Sequence, residues 1–393
     1  MNVQPLYNLT PLASLLLVGA LLALGPLLWV YWRNRHLVPL QRAQALRLFT
    51  LFLTFDLILF GAFTRLTDSG LGCPDWPGCY GNTSPLGAQH AIAAAQVAMP
   101  TGPVTQAKAW IEMIHRYLAT GVGALIMVMT IGSWLSWRAS AHAGRAQRQR
   151  ALSPRWATLT LFWVGLQGAF GALTVTMKLF PVIVTLHLTG ALVLLALLAV
   201  QVVRGNPSTR GVVMQAGLRR WVVLGFVLLS VQILLGGWVS TNYAVLACND
   251  FPQCQNRWWP EMNFSQGFEL WRHLGVTGAG EPIDFSALTA IHYVHRLMAY
   301  LVLVMLALLA WQLNRSEAWR PHSRALAALV GLQLVTGLSN VVLDWPLLSA
   351  LLHTGGAAAL VLTLTWIMAS SASIVPAKVS SRQGALPEAG RLP

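Results

Sequence analysis

Apolar residues of this chain gather into nine long runs that are separated by polar links. A helix of about 20 apolar residues crosses the hydrocarbon core of a bilayer, since each residue adds ~1.5 Å along the axis. The predicted spans are residues 11–32, 46–63, 109–137, 156–177, 182–203, 221–243, 285–313, 325–343 and 348–369. The pattern therefore predicts an all-α polytopic membrane protein.

Most arginines of the chain are concentrated in alternate links of this nine-span arrangement, so every arginine-rich link falls on the same side. Basic links remain in the cytoplasm, which predicts a cytoplasmic C-terminus and places the N-terminus and two long polar loops outside. The start of the chain has neither the basic region nor the cleavage site of a signal peptide, and it is not rich in arginine and serine. We therefore expect a retained first span and a bacterial cytoplasmic (inner) membrane.

Composition agrees with a membrane protein and argues against a nucleic-acid-binding protein. Of 393 residues, 55% are hydrophobic and only 10% are charged, whereas a soluble domain has about a quarter charged residues. The net charge of +14 comes mostly from arginines in short links, so no nucleic-acid partner is expected. Residues 373–393 have no apolar periodicity and are predicted to form a disordered cytoplasmic tail.

The chain also repeats itself. Two spacings recur, twelve residues from a glycine to a cysteine and twenty from a glutamine to a histidine: Gly61 to Cys73 and Gly236 to Cys248, then Gln167 to His187 and Gln333 to His353. Both copies begin at the cytoplasmic side, which indicates a parallel duplication. We predict two tandem four-helix bundles, an N-terminal unit at 46–205 and a C-terminal unit at 206–372. An extra N-terminal transmembrane helix with its basic link, residues 1–45, precedes them.

All four cysteines lie in the two outer loops, as Cys73-x5-Cys79 and Cys248-x5-Cys254. Such pairs persist as disulfides in an oxidising compartment, whereas zinc sites favour closer spacing and further ligands. Closing so small a ring contributes only about 2 kcal/mol in the chain-entropy model. We therefore expect each disulfide to shape a lid over a site, and a redox role in thiol exchange remains open.

Four histidines occupy matched positions in the duplication: His115, His187, His295 and His353. Each lies some five to ten residues inside a span that starts at the outer face, which is roughly 8–15 Å along the helix. In each unit, two imidazoles would therefore face each other across the interior of the bundle, an arrangement that suits haem iron. A single histidine is more often a hydrogen-bonded core residue, but the repetition favours axial ligation of haem.

One charged side chain distinguishes the two units. Glu112 lies three residues before His115, on the same helix face, whereas the C-terminal unit has His292 at this place. A buried carboxylate can transfer protons or stabilise charge at a porphyrin edge, and the alternative is a hydrogen-bonded packing role. Arg116 and Arg296 could bind haem propionates or simply extend to the membrane interface. His292 receives no assignment.

The sequence resembles the haem A synthase family over spans two to nine. The resemblance is carried by the cysteine motif of residues 65–81, by Glu112-x-x-His115-Arg116, and by His187, His295-Arg296 and His353. It implies oxidation of the C8 methyl group of haem O, through the alcohol, to the formyl group of haem A for cytochrome oxidase.

The same resemblance implies the roles of the two units. The N-terminal unit would hold haem O as substrate with Glu112 as the catalytic residue, and the C-terminal unit would hold a haem b cofactor. Arg65 would contact a propionate, but the C-terminal unit has Ser240-Thr241-Asn242 where Arg65-Leu66-Thr67 stands, so propionate binding need not be equivalent there. The implied partners are membrane lipid, haem O synthase (the protohaem farnesyltransferase) and an unidentified electron donor.

Two other functions use similar residues. A di-haem b-type electron-transfer cytochrome needs the same histidine pairs, but it usually places haems at both membrane faces, and all four histidines here lie near one face. A haem carrier or transporter is the second alternative, since duplication is common among transporters. Neither alternative requires Glu112.

Overall fold

The computed structural model describes residues 10–141, 153–209 and 211–373, and these ranges are mostly helical. The helices in chain order are α1 (Thr10–Arg33), α2 (Pro39–Leu66), α3 (Gln89–Ala98), α4 (Gln106–Ala141), α5 (Pro154–Thr176), α6 (Pro181–Gly205), α7 (Ala216–Thr241), α8 (Phe264–Gly267), α9 (Phe285–Asn314), α10 (Arg320–Val342) and α11 (Leu347–Ser370). The predicted disordered tail lies almost wholly outside the described residues.

Within the described ranges, nine helices are long and apolar enough to cross a membrane, namely all except α3 and α8. The prediction of an all-α, nine-span membrane protein is confirmed. The largest difference in boundaries is at α2, which begins at Pro39 instead of residue 46. Proline fits the first turn of a helix and arginine is a good helix former, so the helix extends beyond the apolar stretch that hydropathy detects.

The spanning helices pack in two closed rings. In the first ring, α2 packs on α4, α4 on α5, α5 on α6 and α6 back on α2; in the second, α7, α9, α10 and α11 do the same. The rings meet where α6 contacts α7 and α11, and where α2 contacts α11. These rings coincide with the predicted units, whose origin by duplication and whose boundaries at 46–205 and 206–372 stay predictions.

Each ring has an apolar core in the half that is nearer the arginine-rich links. Ile126, Leu195 and Leu198 are buried in the first ring, and Leu306 and Leu309 are buried in the second. The candidate histidines lie on the other side of these cores, nearer the cysteine loops. The part of each ring that is not filled by this core is therefore the part that contains the imidazoles.

Helix α1 lies outside both rings and packs mainly on α4. The contact is close at Gly19, where an added Cβ atom would lie 2.5 Å from the Cβ of Thr120. A larger residue at position 19 would separate the two helices. Glycine here allows the extra helix to pack tightly against the helix that contains Glu112 and His115.

The structure contains one small element that the sequence pattern did not predict. Strand β1 (Val212–Met214), before α7, pairs in parallel with β2 (Ser371–Ser373), after α11, with Val212 opposite Ser371. The indole nitrogen of Trp319 donates to the carbonyl of Val213 at 3.3 Å. Strands of three residues are too short to show the alternation by which a strand is detected.

Candidate functional site

The two histidines of each ring face each other. His115 of α4 and His187 of α6 are close enough to interact electrostatically, and so are His295 of α9 and His353 of α11. All four side chains are partly exposed although each lies within a helical bundle. The equal depth expected from the duplication therefore brings the imidazoles together in pairs, one pair in each ring.

Every one of these imidazoles lies against a glycine of a neighbouring helix. A Cβ atom added to Gly61 would lie 3.0 Å from Cε1 of His115, and one added to Gly236 would lie 2.9 Å from Cε1 of His295. The corresponding distances are 3.5 Å from Gly171 to His187 and 3.3 Å from Gly337 to His353. The repeated glycines are therefore explained by space: they leave room for a ring on the facing helix.

The two histidine pairs differ in the groups that contact their Nδ1 atoms. In the C-terminal unit, Nδ1 of His353 lies 2.9 Å from the hydroxyl of Thr336, and Nδ1 of His295 lies 3.1 Å from the amide of Gln232. In the N-terminal unit, Nδ1 of both His115 and His187 is buried and has no hydrogen-bond partner among the described residues. Sequence reasoning did not identify Gln232 or Thr336, since neither belongs to a repeated motif.

Glu112 lies under the first cysteine loop. It is 4% exposed, and its Oε2 accepts a hydrogen bond from the backbone N–H of Cys73 at 2.8 Å. Its other oxygen pairs with the guanidinium of Arg116, one turn later on α4. Arg116 in turn donates to the carbonyls of Pro77 and Gly78. The carboxylate is thus held between the loop and an arginine that also binds the loop.

The C-terminal unit repeats this arrangement with an imidazole in place of the carboxylate. Nδ1 of His292 lies 3.4 Å from the backbone nitrogen of Cys248, and its Nε2 lies 3.3 Å from Nε of Arg296, so a neutral imidazole accepts from one of these two donors. Arg296 donates to the carbonyls of Cys248, Asp250 and Gln253. His292, which received no assignment from the sequence, is therefore the structural counterpart of Glu112.

Both cysteine pairs form disulfides, Cys73 with Cys79 and Cys248 with Cys254, with Cα atoms 4.9 Å and 4.8 Å apart. The prediction of two disulfides is confirmed, and a zinc site at these cysteines is excluded because the sulfur atoms are bonded to each other. An aspartate two residues after the first cysteine accepts two backbone N–H groups in each loop, Asp75 from Tyr80 and Gly81, and Asp250 from Gln255 and Asn256.

The three arginines that were expected to bind propionates all contact protein groups. Arg116 and Arg296 are 8% and 7% exposed and bind the loops, which excludes an extended position at the membrane interface. Arg65 pairs with Asp68, donates to the carbonyl of Ser240 and lies 4.0 Å from the ring centroid of Tyr243. Arg65 therefore connects the two rings at their cysteine-loop side, and the propionate role of all three arginines stays a prediction.

The residues of each ring fit a haem. Paired imidazoles are common axial ligands, and a bis-histidine haem needs only two protein ligands. Two buried Nδ1 atoms without a partner show that the N-terminal pair is not occupied with other protein groups. Among the described residues, no group of three or more His, Cys, Asp or Glu side chains could hold a bare metal ion. His115 and His187 would hold one haem iron, and His295 and His353 a second.

Comparisons with known proteins agree with these features. Residues 44–365 match the family described as cytochrome oxidase assembly protein. The heme A synthase of Shewanella oneidensis is 38% identical over 321 residues, covering 81% of this chain and 93% of that protein.

More distant relatives extend the similarity across bacteria. The heme A synthase of Halalkalibacterium halodurans is 26% identical over 322 residues, covering 79% of this chain and 91% of that protein. That of Brucella ovis is 28% identical over 323 residues, covering 76% and 82% respectively. Since the family match and the first of these relatives each include most of the described helices, this chain belongs to the haem A synthase family.

Proposed function

We propose that this chain oxidises the C8 methyl group of haem O to the formyl group of haem A, for use in cytochrome oxidase. The conversion removes four electrons from the substrate carbon, so the protein is a membrane oxidoreductase. The observation that carries the proposal is Glu112, a buried carboxylate one helical turn before His115 that has no acidic counterpart in the other ring. Family membership supports the same reaction.

The N-terminal unit is the proposed substrate site. His115 and His187 would bind the iron of haem O, and Glu112 would accept a proton or stabilise positive charge during oxidation of the methyl group. The C-terminal unit would bind haem b through His295 and His353, and that haem would supply electron transfer. Arg65 is the one predicted propionate contact with a partly exposed side chain, since Arg116 and Arg296 are buried under the loops.

The proposed location is a bacterial inner membrane, with the N-terminus and both cysteine loops outside and the C-terminus in the cytoplasm. The concentration of arginines on the opposite side from the disulfides supports this orientation. Haem O synthase would supply the substrate. The oxidation also needs an acceptor for four electrons and a source of the formyl oxygen; where O2 serves as both, an electron donor of unknown identity reduces its second oxygen atom to water. The helices described here are long enough to cross the membrane nine times.

Pigment analysis of membranes tests the function directly. The chain is expressed together with a haem O supplier, and extracted haems are separated and identified. We expect haem A or its hydroxylated precursor from the wild type, and loss of both from Glu112→Ala while total bound haem persists. His292→Ala is the matched control, because it removes the counterpart group from the other unit.

The same experiment separates the two alternative functions. A di-haem cytochrome or a haem carrier would give only unmodified haem O or haem b with the wild-type chain, and Glu112→Ala would leave the pigment pattern unchanged. Either result would contradict the proposal. The position of all four histidines on the cysteine-loop side of the apolar cores argues against electron transfer across the membrane.

A further inference from the structure

The hydroxyl of Thr336 fixes the orientation of one candidate iron ligand. Thr336 donates its proton to the carbonyl of Leu332 at 2.7 Å, one turn earlier on α10. Its oxygen is then free to accept a hydrogen bond from Nδ1 of His353 at 2.9 Å. A histidine that carries its proton on Nδ1 has its lone pair on Nε2, which is the atom that can bind iron.

The other histidine of this unit also has a polar neighbour, but one that donates. The side-chain amide of Gln232, one turn before Gly236 on α7, lies 3.1 Å from Nδ1 of His295. The same amide is 3.2 Å from the backbone carbonyl of His295, so it contacts both the ring and the main chain of that residue. The amide nitrogen can only donate, so this contact does not accept a proton from Nδ1 of His295 as the hydroxyl of Thr336 does from His353.

The N-terminal unit has apolar residues at both equivalent positions. Alignment of the repeated Gln-x3-Gly motif places Phe170 where Thr336 stands, and alignment of Gly61 with Gly236 places Leu57 where Gln232 stands. Within the described ranges, neither Nδ1 of the N-terminal pair has a hydrogen-bond partner. His115 instead stacks near Phe60, with ring centroids 6.1 Å apart. The two units thus differ at the same two places.

We propose that Thr336 is a positioning residue that makes the C-terminal unit a retentive haem site. By the same reasoning, Phe170 in place of Thr336 makes the N-terminal unit a site that releases its haem readily. A hydrogen bond to the second nitrogen of a ligating histidine fixes the ring and strengthens it as a ligand, and its loss typically costs 10–100-fold in metal affinity. A cofactor must remain bound through many reaction cycles, whereas a substrate site must release its product.

This inference rests on the proposed function, because it assigns cofactor and substrate to the two units. It adds a cause for that assignment which does not involve Glu112. The asymmetry lies at Nδ1 of the histidines, the ring nitrogen that would not bind the iron. It therefore predicts a difference in haem release that is measurable without any turnover.

The experiment measures release of haem to excess apomyoglobin from two purified full-length variants. His115→Ala with His187→Ala leaves only the C-terminal pair, and His295→Ala with His353→Ala leaves only the N-terminal pair. We expect haem to leave the N-terminal pair about 10–100-fold faster than the C-terminal pair. Equal rates would overturn the inference.

A second comparison isolates the hydroxyl of Thr336 in the variant that retains only the C-terminal pair. Thr336→Val should accelerate haem release by about 10–100-fold, and Thr336→Ser should restore slow release because it keeps the hydroxyl. Thr363→Val is the matched control, since Thr363 makes the same bond to a carbonyl one turn earlier on α11 but contacts no imidazole. Release from Thr336→Val at the control rate would overturn the inference.

The reduction potential of the bound haem gives a readout that a packing defect would not move in a fixed direction. A hydrogen-bonded Nδ1–H donates electron density to the iron and favours the oxidised state. Thr336→Val should therefore raise the potential, and Thr336→Ser and Thr363→Val should leave it near that of the parent. An unchanged potential in Thr336→Val would contradict the positioning role while the proposed reaction stood, whereas absence of haem from both histidine variants would contradict the proposed function itself.

Discussion

At the candidate haem sites, each imidazole packs closely against a glycine of a neighbouring helix, where a hydrogen atom takes the place of a side chain. The order of the four added-Cβ distances gives a graded series of substitutions. Gly236→Ala should displace the ring of His295, because a Cβ atom 2.9 Å from Cε1 requires something to move. Gly171→Ala, at 3.5 Å from His187, should be tolerated as an ordinary contact. Haem content and the visible spectrum of the purified variants measure the effect.

A suitable control for this series is Gly165→Ala. Gly165 lies on α5, as Gly171 does, but an added Cβ would meet nothing within 4 Å. Alanine is also the better helix former by about 1 kcal/mol, so this variant should be at least as stable as the wild type. Equal haem contents in Gly236→Ala and Gly165→Ala would show that the glycine contact with His295 is unimportant.

Glu112 combines two roles that one further variant can separate. Glu112→Gln keeps an oxygen that can accept the N–H of Cys73 but removes the charge that pairs with Arg116. If the charge serves the oxidation, product formation should fall by about 100-fold or more in both Glu112→Gln and Glu112→Ala. The cysteine loop should become sensitive to protease only in the alanine variant. Retained haem A formation in Glu112→Gln would reduce Glu112 to a support for the loop.

The direction of side chains is what sequence spacing could not predict at this scale. The duplication predicted that four histidines share one depth, and the structure brings them together in two pairs. The duplication gave no reason to expect that the side chain of Arg116 would turn toward loop carbonyls. A residue next to a candidate ligand can point to either side of the helix face. Sequence spacing paired His292 with Glu112, but it could not show that both lie beside the backbone nitrogen of the first cysteine of their loops.

Among elements, the cysteine loops offer a dependence on pH. Burial is the largest single influence on the pKa of Asp250 and raises it, but backbone N–H groups of Asn256, Gln255 and Asp250 itself, with the charge of Arg296, together hold the pKa below its usual value. A lowered folded-state pKa means that the carboxylate stabilises the loop above about pH 4 and that this contribution is lost as the pH falls through the lowered value.

Hydrogen exchange of residues 248–257 measures this contribution. After correction for intrinsic rates, protection at pH 7 should exceed protection near pH 3 in the wild type. Asp250→Asn should reduce the difference, because the amide has one oxygen acceptor where the carboxylate has two. Glu261→Gln, an exposed acid beyond the loop, should behave as the wild type does. A pH effect of the same size in Asp250→Asn would assign it to another group.

Elements were predicted well where hydropathy determined them and poorly elsewhere. All nine spanning helices were expected, because about 20 apolar residues in a row have few other structures available. Helix α3 was missed, since it lies in a polar loop and only Ile92 of its side chains is buried. The early start of α2 was missed because helical backbone continues into water, where hydropathy gives no signal.

At the scale of the whole molecule, the orientation in the membrane is open to a labelling test. Gln96→Cys places a thiol on the cysteine-loop side, and Ser208→Cys places one on the arginine-rich side; both positions are exposed. The native cysteines are bonded in pairs and do not react with maleimides. An impermeant maleimide should label Gln96→Cys in intact cells and Ser208→Cys only after permeabilisation. The reverse pattern would invert the proposed orientation.

The short parallel strand pair has a consequence for the route by which a porphyrin enters and leaves the protein. It joins the start of α7 to the end of α11, and Gln44 of α2 donates to the carbonyl of Val202 on α6 at 2.6 Å, so each ring is fastened at its arginine-rich end. Helices that are fastened at one end separate most at the other. We expect a porphyrin to enter edge-on from the membrane leaflet on the cysteine-loop side. Crosslinks between helix ends on that side should therefore prevent release of a bound porphyrin, whereas crosslinks at the arginine-rich ends should not.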